Sequence, residues 1–258
     1  MVNFAGLEVL WRGQTGRHPT LNGDTALEDG RPPMSSKEYF DDVARHWDRM
    51  REVFFSEAVR DRAISTAQVQ PGEIAADIGA GSGFVTEGLL ERGLRVIAVD
   101  QSPVMLEEIG RKFASPGALD CRVGQAEELP LTNESVDHVF ANMYLHHVES
   151  PLDAIGEMVR ILKPGGTLVI TDLDEHDFEF LRSEQHDLWL GFKREDVQAW
   201  LCASGLIDVV VDCVGEDCCS QSEAGADPAR ISIFAAYGRK PVGPALLPGG
   251  EDTRKEQA

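Results

Sequence analysis

From Pro71 to Lys240, short apolar runs alternate with amphipathic ones, and that alternation leaves few folds open. "EIAADIG", "LRVIAVD", "LDCRVGQ", "SVDHVFANM" and "TLVITDL" have the length and apolar content of buried strands. "VTEGLLERG", "SPVMLEEIGRKFA", "PLDAIGEMVRILKPGG" and "KREDVQAWLCASG" have helical spacing. Ser102 is placed to cap the second of these, with Pro103 at its first position. Pro164, Gly165 and Gly166 read as the turn that stops the third. Strands joined by helices must cross over to run parallel, and the helices then cover both faces of the sheet. The last two strands, "IDVVVDCV" and "ARISIFAAYGR", have no helix between them, so the final one is expected to run antiparallel. The expected fold is α/β: a Rossmann-like doubly wound seven-stranded sheet, mostly parallel with an antiparallel last strand, helices on both faces.

The segments outside this domain are less regular. Residues 1–36 carry Gly, Pro, Asn and Asp without periodicity and read as a loose N-terminal extension, with Met34 an alternative start. Residues 37–70 read as a helical lid or cap: Ser36 is a candidate N-cap, and Phe40, Val43, Trp47 and Met50 share helical spacing. Residues 71–240 form the domain itself, and 241–258 read as a disordered tail.

Within the domain, "ADIGAGSGFV" raises the question of function. Glycine is entropically costly to order, so Gly79, Gly81 and Gly83 after a strand suggest that something approaches the backbone closely. Ligands of open α/β sheets sit at the carboxyl ends of the strands. The spacing is Gly-x-Gly-x-Gly, whereas a dinucleotide fingerprint needs its third glycine at position 84, which is Phe. That counts against a nicotinamide or flavin cofactor. Asp100, at the end of the second strand, is placed to accept both hydroxyls of a ribose, and Asp77 suits a neighbouring positive charge. A nucleoside with a cationic appendage and no phosphates describes S-adenosyl-L-methionine.

In this order, "DIGAGSG", "VIAVDQSPVML", "GQAEELPLTNESVDHVFANMYLHHV" and "RILKPGGTLVI" resemble the successive motifs of a class I S-adenosylmethionine-dependent methyltransferase. The style is that of the ubiquinone and menaquinone C-methyltransferase-like group, over roughly Pro71 to Val214. The resemblance implies that Gly79, Ala80, Gly81 and Gly83 line the methionine part of the cofactor and that Asp77 lies near its ammonium. It implies further that Asp100 holds the ribose, Gln101 and Met105 flank the adenine, and Gln125, Ala126 and Glu127 border the adenine edge. Asn142 would cap the site. The family commonly has Asp where this chain has Gln125, whose amide oxygen can still accept from an adenine amino group. In such proteins the loop after the fourth strand faces the transferring methyl, which makes His146 a candidate catalytic group, with Asp172 and His176 after the fifth strand. Tyr39, Trp47, Met143 and His147 are candidates for the substrate pocket.

The expected activity is methyl transfer to a small-molecule acceptor by in-line displacement. The alternative is a regulatory or interaction module that binds the cofactor without catalysis. A lesser alternative is methylation of a thiophilic metalloid such as arsenite, suggested by Cys213, Cys218 and Cys219. Their spacing matches no zinc ribbon or knuckle, and adjacent histidines such as His146 and His147 are expected to point apart, so no metal site is expected. The formal net charge of −20 repels nucleic acid and anionic membranes, and favours a neutral or cationic small molecule. Five cysteines, an odd number, argue against a disulfide framework. With neither a signal peptide nor an 18-residue apolar run, a cytoplasmic location is expected.

Overall fold

The structure is a computed structural model that describes residues 36–44, 46–113, 117–220, 222 and 228–243. The expected extension, apart from Ser36, and residues 244–258 of the expected tail lie outside the described residues.

Seven strands form one sheet: β1 (Ile74–Ile78), β2 (Arg95–Asp100), β3 (Leu119–Val123), β4 (Val136–Asn142), β5 (Leu162–Leu173), β6 (Ile207–Ser220) and β7 (Ala229–Arg239). Their order is β3-β2-β1-β4-β5-β7-β6. The first five pair in parallel, and β7 runs antiparallel to both β5 and β6. The order reverses between β1 and β4, so a crevice opens at their carboxyl ends, where ligands of such sheets bind.

Strand alternation sends successive side chains to opposite faces, and each face has its own core. On one, Phe140 and Val169 pack with α3 (Glu57–Ala67) and α4 (Phe84–Glu91) through Ala63, Ile64, Val85 and Leu89. On the other, Val139, Leu168 and Ile170 pack with α6 (Pro151–Ile161) and α8 (Arg194–Ala203) through Ile155, Met158, Val197 and Leu201. Burying each such Leu or Ile contributes about 1.5–3 kcal/mol. Between β2 and β3, α5 (Pro103–Lys112) starts as its sequence suggests: the Ser102 side chain accepts a hydrogen bond from the Met105 N–H, and Pro103 is the first helical residue. A short helix, α7 (Phe180–Glu184), lies between β5 and α8.

One expectation needs correction. Pro164-Gly165-Gly166 is not a turn ahead of a strand but part of β5. Gly165, at φ 85°, forms an irregularity in its pairing with β4, and the Gly165 N–H donates to the Lys240 carbonyl. The helical stretch before β1 is built of three helices: α1 (Ser36–Val43), α2 (Trp47–Phe54) and α3. Phe55 breaks the second from the third in extended backbone, and the Ser56 side chain caps α3 at the Ala58 N–H. Among the described residues, no helix is long and apolar enough to cross a membrane.

Candidate active site

The glycine loop joins β1 to α4. Gly79, Gly81 and Gly83 all have positive φ, 66°, 52° and 96°, a backbone that other residues adopt only with strain. Their N–H groups are largely used within the protein. Those of Gly79 and Ala80 donate to the Val99 carbonyl, that of Gly81 to Asp100 Oδ2 at 2.8 Å, and that of Gly83 to the Ala80 carbonyl. The loop is therefore a pre-formed wall, held by the tip of β2. Asp100 Oδ1 also accepts the Ser102 N–H at 2.9 Å, so one carboxylate clamps the loop and the start of α5 together. A carboxylate offers about four lone-pair sites, and although the Gln101 backbone also acts on Asp100, the carboxylate keeps acceptor capacity for a ligand.

A cavity opens above this wall. It is lined by Asp77, Gly79, Ala80, Gly81, Asp100, Gln101, Met105 and Asn142 from the sheet side, with Trp47, Met143 and His147 opposite. These positions were all expected from the sequence. Gly83 is not among them: a β-carbon there would lie 2.7 Å from the Phe113 ring, so this glycine serves the packing of the loop on the end of α5. Gln125, Ala126 and Glu127 do not line the cavity either. The Tyr144 ring covers Gly79, with its hydroxyl against the Ala126 backbone, and closes the cavity on that side. Burial pushes the Tyr144 hydroxyl well above the ordinary phenol range.

Asp77 is buried beneath the loop and accepts a hydrogen bond from the Thr86 hydroxyl at 2.7 Å. Burial, aided by the charge of Asp100, raises its pKa to about 7 against the opposing Thr86 bonds. Burial raises Asp100 as well. Arg51, which the sequence did not single out, lines the same cavity. Its guanidinium lies 4.0 Å from the centre of the Phe84 ring, its Nη1 donates to the Phe55 carbonyl at 3.4 Å, and its buried Nε has no partner.

A second cavity shares Phe40, Trp47, Phe55, Met143 and His147 with the first. It adds Phe54, His146, Leu173, Leu181, Gln185, Asp187, Cys218 and Ser220. Met143 stands between the two at φ 50°, an uncommon conformation for a residue with a side chain and one that recurs at functional sites. Of the three catalytic candidates His146 lines the second cavity, and Asp172 and His176 line neither of these two. Asp172 stands behind His146, its Oδ1 2.7 Å from His146 Nδ1. Although burial opposes it, the charges of Asp172 and Asp187 raise the His146 pKa to about 9. His147 is pushed the other way by burial and by the neighbouring His146. Burial also raises Asp187 to about 6. His176 lines neither cavity; burial lowers its pKa to about 4, and its Nδ1 accepts the Phe178 N–H. Tyr39 lines neither cavity but flanks the second, its hydroxyl donating to Gln185 Oε1 at 3.0 Å.

Helices α1 and α2 are tied over the first cavity by polar contacts. The Ser102 hydroxyl donates to Asp41 Oδ1, and the Ser82 hydroxyl to Asp48 Oδ1. Lys112 pairs with Asp48 and donates to the Ser82 carbonyl. The cysteines do not converge. Cys218 is buried while its neighbour Cys219 points to the opposite face, and Cys213 and Cys219 are both exposed.

Residues 76–170 match a family model described as a methyltransferase domain. Over 188 residues the chain is 28% identical to the malonyl-acyl-carrier-protein O-methyltransferase of Marinomonas sp. (strain MWYL1), covering 69% of this chain and 68% of that protein. Over 142 residues it is 32% identical to the demethylmenaquinone methyltransferase of Renibacterium salmoninarum, covering 54% and 59%. The chain carries a methyltransferase domain of the S-adenosylmethionine-dependent kind. The chain spans only 36% of the length of some uncharacterized mycobacterial methyltransferases that also match. Its fold is shared with a putative methyltransferase of Haloferax volcanii solved with the activator Trm112, at a TM-score of 0.64 and 22% identity, covering 80% of this chain and 98% of that one. The cofactor of the family, S-adenosyl-L-methionine, fits the cavity chemically. Two buried carboxylates, Asp77 and Asp100, and the buried Arg51 guanidinium with its unpartnered Nε line it, a donor set suited to a nucleoside that carries both a positive charge and a carboxylate.

Proposed function

We propose that this methyltransferase transfers a methyl group to a small molecule held in the second cavity. The observation that carries this reading is the shared wall: both cavities meet at Met143 and His147, so a donor in one and an acceptor in the other would face each other there. A binding module without catalysis would have no use for the second space.

In this reading Asp77 lies near the ammonium, Arg51 pairs with the carboxylate and Asp100 receives the ribose hydroxyls. Gln101 and Met105 flank the adenine, while Gln125, Ala126 and Glu127 act behind Tyr144, whose hydroxyl rests on the Ala126 backbone. S-adenosyl-L-methionine supplies a methyl group already activated on a sulfonium. The protein's part is then to hold the acceptor in line and keep water out, since in-line positioning at about 3–3.5 Å accounts for much of the rate in such displacements. Helices α1 and α2, latched through Asp41 and Asp48, form the lid, with Phe40 and Trp47 closing over both cavities. The acceptor's apolar body packs against Phe54, Leu173 and Leu181, and its polar atom meets His146, His147 and Asp187.

Parallel calorimetric titrations with S-adenosyl-L-methionine, its demethylated product and NADH test the donor side. Binding of the first two alone is expected. Product formation with quinols, phenols, thiols and amines then tests transfer. Binding of NADH in their place would overturn the reading.

A further inference from the structure

The polar end of the second cavity is built for more than a hydrogen bond to an acceptor. His146 and His147 are consecutive, and consecutive side chains in a strand or helix diverge. Here a 3-10 turn, Leu145–His147, holds their rings with centroids 4.1 Å apart. Both turn toward Asp187. Its Oδ1 lies 3.8 Å from His146 Nε2 and 4.0 Å from His147 Nδ1. One ligand atom from each of the three residues falls within 4.8 Å of the others.

These separations are too long for hydrogen bonds. They suit the edges of a coordination shell: with metal–nitrogen and metal–oxygen bonds of about 2.0–2.2 Å, two ligands of one ion stand roughly 3–4 Å apart. For all three atoms to share one centre, an imidazole would have to rotate. His147 Nδ1 also lies 3.3 Å from the His186 carbonyl, a long contact that such a rotation gives up.

The surroundings agree. Asp172 accepts from or pairs with His146 Nδ1 at 2.7 Å and so aims Nε2 into the cavity, the carboxylate–imidazole arrangement that orients metal-bound histidines. Asp172 is fully buried, and its second oxygen has no partner. Asp187 is buried as well. Arg182, the cation that acts on Asp187, is exposed and spends its guanidinium on Glu179 and the Leu188 carbonyl. Two buried carboxylates therefore face two imidazoles, and buried charges are normally paired or coordinate a metal.

We propose that His146, His147 and Asp187 bind one divalent ion of the zinc class, oriented by Asp172, with an open position toward the shared wall. The open position takes the oxygen, nitrogen or sulfur of the acceptor, and only this last part rests on the reading of function given above. Binding displaces any proton held on His146 Nε2, as ligand nitrogens must be free to coordinate.

The test uses the full chain, stripped with a chelator and titrated with Co2+ and then Zn2+, read by visible absorption and calorimetry. One equivalent is expected, with nitrogen–oxygen cobalt bands and no thiolate charge-transfer band. Asp187→Asn and His147→Gln should each weaken binding at least tenfold, and Asp172→Asn by about 10- to 100-fold. S-adenosyl-L-methionine binding by Asp187→Asn verifies that this variant is folded. Absence of saturable ion binding by a chain that binds the cofactor overturns the proposal. So does binding that Asp187→Asn and His147→Gln leave unchanged, or a thiolate band abolished by Cys213→Ser with Cys219→Ser. Ion binding without cofactor binding upholds the metal site and overturns the reading of function instead.

Discussion

The phenol ring of Tyr144 rests on Gly79 so closely that a β-carbon on the glycine would fall 2.1 Å from Tyr144 Cγ. Gly79 is also left-handed, at φ 66°. Gly79→Ala thus combines two costs, the overlap with the ring and the backbone strain of a side chain at positive φ. Overpacking costs about 1–3 kcal/mol and the left-handed conformation about 1–2 kcal/mol. Gly79→Ala should therefore lower the unfolding free energy by about 2–5 kcal/mol. In a Tyr144→Ala background only the strain remains, and the loss should shrink to about 1–2 kcal/mol. Urea unfolding of the four proteins checks this; equal losses in both backgrounds would mean that the ring does not rest on the loop.

Asp77 makes both stability and cofactor affinity depend on pH. Its folded pKa is raised to about 7 by burial, whereas an unfolded aspartate titrates near 3.9. Between those values the folded chain holds the proton that the unfolded chain has lost. Stability of the cofactor-free protein from this group is therefore fully present below about pH 4 and falls as pH rises toward 7. Asp77→Asn, which retains an acceptor for Thr86, should flatten that slope and be the more stable protein at pH 8 by about 2–4 kcal/mol. An ammonium placed beside Asp77 favours the ionised form. Cofactor affinity should accordingly rise about tenfold from pH 6 to pH 8 in the wild type and stay flat in Asp77→Asn. Parallel slopes for the two proteins would remove Asp77 from the ammonium site.

Asp100 has a structural duty that the sequence did not reveal, because it holds the Gly81 and Ser102 N–H groups before any ligand arrives. Asp100→Ala should weaken S-adenosyl-L-methionine by about 1–3 kcal/mol through lost charge-assisted bonds. It should also cost the fold about 1–3 kcal/mol, since two buried donors lose their acceptor. Calorimetry and urea unfolding separate the two effects. A destabilised variant with unchanged affinity would leave Asp100 as a loop clamp alone.

What the sequence disclosed and what it concealed have separate physical causes. Apolar runs of strand length, the cap at Ser102 and the missing helix before β7 are local signals, and they were enough for the sheet and its antiparallel strand. Pro164-Gly165-Gly166 misled because the same residues that end a helix also form an irregularity within a strand. The glycine loop and Asp100 were legible because a fixed loop length ties them to strand ends. Arg51 was not, and neither was the approach of Asp187 to His146. Arg51 sits among acidic residues of an amphipathic helix, which reads as a solvated face, and only the packing of α2 on Phe84 turns it inward. Asp187 lies in an aperiodic stretch after α7, and nothing in its neighbours says that it meets His146 from 41 positions away.

Arg51 offers a test that depends on one group of the cofactor. Its guanidinium is buried over Phe84, and its Nε has no partner, so the chain has taken a cation out of water at the wall of the first cavity. A carboxylate arriving there gains a charge-assisted bond worth about 1.5–3 kcal/mol. Arg51→Met keeps the apolar stem against Phe84 and removes only the charge. It should weaken S-adenosyl-L-methionine roughly 10- to 100-fold. Decarboxylated S-adenosylmethionine should bind the wild type more weakly than the intact cofactor, and Arg51→Met should bind the two with nearly equal affinity. A merely structural arginine would weaken both ligands alike, so calorimetric titration of both ligands against both proteins decides the role. Equal fold losses for the two ligands would move the carboxylate site away from α2.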